Sequence, residues 1–130
     1  EVSGVCGVWS IKDIIAHLTS YEYLLKDVFG MFLHNGETDT LREFQKGPNF
    51  NDEQVDQRKH LTFSDVLAEY NETQAVVMQL AAKIPAEKFS QNGTIPWYGE
   101  QYCLDDLIVY MNYAHKREHV AQINVYQDTR

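Results

Sequence analysis

The 130-residue sequence has only two cysteines, Cys6 and Cys103, and they lie far apart. That excludes a disulfide framework and a CxxC redox or zinc motif. Two reduced thiols in a cytoplasmic protein are expected instead. No stretch approaches the roughly 18 consecutive apolar residues of a transmembrane helix, so no membrane span is expected. Basic residues are scarce: 11 Lys and Arg face 19 Asp and Glu, a formal net charge of −8. Such a chain repels phosphate backbones and anionic membranes at long range, so neither nucleic acid nor membrane is an expected partner. No basic stretch is longer than a pair such as Lys116-Arg117.

Other patterns are missing too. Glu1-Val2-Ser3-Gly4 carries no basic segment and no long apolar segment, so no signal peptide is expected. It also lacks an initiator Met, and the chain is expected to be processed, trimmed or part of its gene product. There is no GxSxG, Walker A or dinucleotide glycine pattern. No internal repeat, low-complexity tract or alternating strand pattern is present. What remains is ordinary for a globular chain: 44% apolar residue types and 23% charged. The length suits one domain with a real core, over residues 1–130.

Helical periodicity dominates. Ser10 is a good N-cap with Asp13 three residues on, which begins a helix running to about Leu33. Ile11, Ile14, Ile15, Leu18, Tyr21, Leu24, Leu25, Val28 and Phe32 follow the three-and-four spacing of an amphipathic helix. His34-Asn35-Gly36 stops it. Residues 35–61 are polar and broken by Gly47-Pro48, with room for a short helix over Asn51–Lys59. A second long helix is predicted from Thr62 or Ser64 to Ile84, before Pro85, with Val66, Leu67, Tyr70, Val77, Leu80, Ala81 and Ile84 as its stripe. After a turn-rich connection, residues 85–101, a third is predicted from Leu104 to Tyr126. The long connection between the first two lets neighbouring helices run parallel.

Three of the five histidines fall on apolar stripes. His17 lies between Ile14 and Tyr21. His115 and His119 lie on the stripe of Ile108, Met111 and Tyr126, one turn apart, so both imidazoles can reach one ion. If the first and last helices run antiparallel, the three residues fall at similar heights. Three imidazoles make a divalent-metal site with an open position, the form of a catalytic centre. The same pattern also describes core histidines satisfied by hydrogen bonds, and the residues leave both readings open. His34 and His60 read as surface or loop. Glu22, Glu118, Tyr21, Tyr113 and Asn112 lie near enough to be acid–base partners, and none is singled out as the general base. Trp97-Tyr98 suits either a pocket mouth or a loop packed onto the bundle.

Two segments resemble a known family. Trp9-Ser10-Ile11-Lys12-Asp13-Ile14-Ile15-Ala16-His17-Leu18 is similar to the W-S-x-K-D-x-x-A-H-L opening of the second helix in DinB-like proteins. His115-Lys116-Arg117-Glu118-His119-Val120-Ala121-Gln122-Ile123 is similar to that family's H-x-x-x-H-x-x-Q-I last-helix signature. The resemblance covers essentially the whole chain and is nearest the DfsB-like branch. It implies an all-α, up-down-down-up four-helix bundle, with the family's first helix missing from this chain. It also implies a metal triad of His17, His115 and His119 holding zinc or nickel. Known activities in the family include thiol-dependent S-transfer, isomerisation and the disarming of a reactive cyclopropane genotoxin.

Two functions follow as expectations. One is a metal-dependent transferase or hydrolase acting on a small electrophilic substrate, with a low-molecular-weight thiol as a candidate co-reactant. The other is a metal-free small-molecule binding or toxin-protection module without catalysis. The missing helix would leave one side of the core uncovered, so a homodimer is expected.

Overall fold

The computed structural model describes residues 9–34, 38–113, 116, 121 and 123, and among them the chain is helical without a strand. Helix α1 (Ile11–Phe32) begins at a full capping box: Asp13 N–H donates to Ser10 Oγ at 3.1 Å, and Ser10 N–H donates to Asp13 Oδ2 at 3.1 Å. Helix α4 (Phe63–Ala81) repeats the device with Thr62 and Asp65. Each box satisfies two backbone donors that a helix start otherwise leaves without partners. Between them lie α2 (Asp39–Gln45) and α3 (Phe50–Gln57). After α4 come a 3₁₀ turn (Ala86–Ser90) and α5 (Leu104–Leu107), which continues as a π-helical stretch, Ile108–Tyr113.

Two levels of contact fix the directions of the three long elements. At one level, Leu25, Val28 and Phe29 of α1 pack with Val77 of α4, Ile84 just beyond it, and Leu104 and Leu107 of α5. At the other, Glu22 pairs with Lys116, whose ammonium sits 5.4 Å from the Tyr70 ring centroid. From the first level to the second, α1 and α4 run backwards in sequence and the last element runs forwards. Hence α1 and α4 are parallel, and the last element is antiparallel to both. This is the arrangement that the long connection permits.

Helix α1 is central. It packs against α4, α2, α3 and the π-helical stretch, and it buries charged as well as apolar residues. Those charges tie down the connection. Lys12 Nζ donates to the carbonyls of Lys59 at 3.1 Å and Leu61 at 2.8 Å, beyond the end of α3. Asp13 pairs with Lys59 at 2.9 Å, and Asp27 accepts the Leu41 N–H at 3.0 Å inside the first turn of α2. The polar segment 38–61 is therefore a folded crossover laid across α1.

Four expectations need correction. The crossover holds two helices rather than one, because α2 carries a single buried apolar residue, Leu41, and so shows no stripe. Helix α4 ends at Ala81, not Ile84; Ile84 is buried beyond its end. Leu67 is 38% exposed, and Thr73 takes the buried place on that face. In the last helix an α pattern was expected throughout, yet the ladder changes to i→i+5 bonding at Ile108. Met78, Val109 and Tyr110 turn their side chains to solvent. The remainder of the predicted third helix falls mostly outside the described residues.

Candidate functional site

His17 sits in the second turn of α1 and is 2% exposed. Its ring lies between two aromatic walls. The Trp9 centroid is 4.9 Å away at 45°, and the Tyr21 centroid is 5.0 Å away, edge-on at 72°. These are normal spacings for attractive ring pairs. Local hydroxyls close the backbone around it: Ser20 Oγ donates to the His17 carbonyl at 2.6 Å, and Thr19 Oγ1 to the Ile15 carbonyl at 2.8 Å. Trp9 stands just before the cap, so the same capping box that starts α1 also sets the first wall.

The walls continue into the crossover. Tyr21 contacts Phe50 and Phe44, with centroids 5.9 and 6.2 Å away, and Phe44 contacts Trp97 at 6.0 Å. The Tyr21 hydroxyl donates to Asn51 Oδ1 at 3.0 Å. Burial pushes that hydroxyl above the ordinary phenol value, against a weaker opposing effect of Asn51. A protonated Tyr21 at neutral pH is thus a hydrogen-bond donor rather than a base.

One turn further along α1, Glu22 is 1% exposed and pairs with the ammonium of Lys116. Burial by itself would pull Lys116 down, but the Glu22 carboxylate prevails and holds it above the usual lysine value. Asn112 is also buried, and its Nδ2 donates to the Tyr21 carbonyl at 3.2 Å. Two side chains of the last element, four residues apart, therefore engage α1 at consecutive positions, Tyr21 and Glu22.

His17 is thus in the core. His115 and His119 lie outside the described residues, as do Glu118 and the side chain of Tyr113. Among the described residues, no three His, Cys, Asp or Glu side chains gather to hold a metal. His34 and His60 are exposed, as expected. Trp97 packs on Phe44 and Tyr98, and so joins the loop to the bundle. Lys116 was read only as half of a basic pair. No signal for its role was available, since one residue after His115 it lies about 100° off the predicted apolar stripe. Phe44 and Phe50 gave none, because each sits on a helix of eight residues or fewer. Cys103 is buried and its thiol donates to Asp106 Oδ2 at 3.3 Å, where it caps α5.

These features define a helical bundle with a buried, aromatic-walled histidine near the start of its first described helix. The family model of the DinB superfamily matches residues 5–123, and the chain belongs to that superfamily. Neither curated proteins nor solved structures give a match. Among the described residues no helix is long and apolar enough to cross a membrane.

Proposed function

We propose that the chain is a metalloprotein in which His17, His115 and His119 bind one divalent ion, zinc or nickel. The observation that carries this reading is the burial of His17 between Trp9 and Tyr21, deep in a bundle whose last element is registered against α1 by Asn112 and Lys116. Asn112 and Lys116 flank His115 in sequence and engage α1 within about 8 Å of axial rise from His17. Imidazole nitrogen suits both metals, and three protein ligands leave a position for water or a thiol. When bound, the ion supplies Lewis acidity and lowers the pKa of that fourth ligand. The chain's own contribution is a buried His17 against the Trp9 and Tyr21 rings and a Tyr21 hydroxyl held neutral by burial. The activity best suited to such a site is transfer or hydrolysis on a small electrophilic substrate, with a low-molecular-weight thiol as nucleophile.

The test is metal content by plasma mass spectrometry on tag-free protein, wild type beside His115→Ala/His119→Ala. About one equivalent of transition metal in the wild type, lost in the double variant, is expected. No metal in either protein, even after incubation with zinc and nickel, would return the three residues to the role of core histidines.

A further inference from the structure

A cavity of about 290 Å³ opens where the C-terminal end of α1 meets the 3₁₀ turn and the loop before α5. Its walls include Val28 and Met31 of α1 with Ile95 and Trp97 of the loop, and its polar lining includes Lys88 and His34. Val28 is eleven residues along α1 from His17, about 16 Å of helix rise, so this cavity lies away from the His17 ring, and Trp97 joins it to that ring through Phe44 and Tyr21. At about 30 Å³ per water, the space equals about ten waters, or a ligand of about a dozen non-hydrogen atoms.

The chemistry of the lining is one-sided. The chain carries a net charge of −8, yet no acidic side chain lines this cavity among the described residues. Lys88 is exposed and forms no ion pair among them. The last carbonyls of α1 do not set the charge of the rim, because Leu33 N–H donates to Phe29 and Gly30, and His34 N–H to Met31. The His34 backbone, at φ 56°, is the left-handed residue that ends such a helix, and it leaves the imidazole at the cavity.

We propose that this cavity binds a small amphipathic carboxylate, its apolar body against Val28, Met31, Ile95 and Trp97 and its anionic head on Lys88 and His34. Binding there does not depend on metal.

The probe is 3-phenylpropionate, with its neutral isostere 3-phenylpropionamide, titrated in chelator-containing buffer into ¹⁵N-labelled protein. The two indole resonances, from Trp9 and Trp97, distinguish the two ends of the bundle. We expect saturable movement of the Trp97 resonance with a dissociation constant of about a millimolar, ordinary for a fragment of this size. The amide should bind at least tenfold more weakly, and Lys88→Met should weaken the acid about fivefold. His115→Ala/His119→Ala should leave the titration unchanged. Absence of saturable movement overturns the proposal, and so does equal affinity for acid and amide. Loss of binding in the histidine double variant also overturns it, because the ligand then reads the histidine cluster instead.

Discussion

Three charged side chains of α1 illustrate how burial decides what a residue contributes. Glu22 is 1% exposed and Lys116 is its partner. Removing one member of a buried pair leaves the other charge uncompensated, at a cost of about 3–5 kcal/mol. Lys116→Met is expected near the lower end, since its side chain keeps 26% exposure. Glu22→Gln/Lys116→Met should cost less than the sum of the single changes, as read by a urea-denaturation double-mutant cycle. Lys116 is held above its usual value, so its contribution is complete below about pH 10.5 and is lost as pH rises through the folded value. The alkaline loss of stability should therefore be shallower in Lys116→Met than in the wild type. Asp13 and Asp27 respond to acid in opposite senses. For Asp13, burial raises the carboxyl, but hydrogen bonds from Lys59 and Ser10 outweigh it and the net shift is downward. Its contribution is present above about pH 4 and fades as pH falls through the lower folded value. Asp27 is pushed up by burial despite the backbone N–H groups of Leu41 and Thr40. Its ionised form is the disfavoured one, and that penalty is relieved as pH falls. Denaturation from pH 7 to pH 3 should show Asp13→Asn losing less stability than the wild type and Asp27→Asn losing more. The same sign for both variants would contradict these environments.

At the scale of elements, the start of α1 was legible because capping is local chemistry: Ser10 with Asp13 announces itself within four residues, whereas the start of α4 was read only as Thr62 or Ser64, and the box of Thr62 with Asp65 decides it. The apolar face of α1 was legible for the same reason, since its stripe repeats over six turns. Its charged residues were not, because Lys12 and Asp27 are buried by the crossover, and no periodicity foretells a crossover 14 to 49 residues away. The π-helical stretch was illegible as well: a hydrogen-bond step of five residues in place of four leaves no mark in composition, and in this stretch Asn112 is buried while Val109 and Tyr110 are exposed. Of the candidate site, His17 could be read from its stripe, while the Phe44 and Phe50 part of its surroundings depends on tertiary packing. The crossover gives its own prediction. Lys12→Met removes the donor that holds the carbonyls of Lys59 and Leu61. Each bond from a charged donor is worth about 1.5–3 kcal/mol, and methionine keeps the apolar stem. Hydrogen exchange should accelerate in residues 50–61, while the amides of α4 beyond its first turn keep their protection. Uniform acceleration throughout would mean that the tie supports the whole bundle rather than the crossover.

Across the whole molecule, the proposed metal links site and stability. His17 belongs to α1, and His115 and His119 lie about a hundred residues further on in the sequence, so one ion bound by all three would join segments far apart along the chain. A ligand that binds only the folded state adds RT ln(1 + [L]/Kd), about 2.7 kcal/mol at a hundredfold excess over Kd. For a chain of this length that corresponds to a rise in melting temperature of about 10 °C. Zinc or nickel should therefore raise the melting temperature of wild-type protein by about that amount, and chelator should reverse it. His115→Ala/His119→Ala should melt at one temperature with or without metal. His17→Ala should lose the metal response too, and it should also lose intrinsic stability, because a 2%-exposed ring between Trp9 and Tyr21 leaves a cavity behind. The two effects separate in calorimetry: chelated wild type against chelated variant reports the packing loss, and the metal-induced shift in each reports the ion. A metal response that survives in both His17→Ala and the double variant would show that the cation binds elsewhere, on the acidic surface of a chain with 19 carboxylates. A response kept only in His17→Ala would leave His115 and His119 as a two-histidine site without α1.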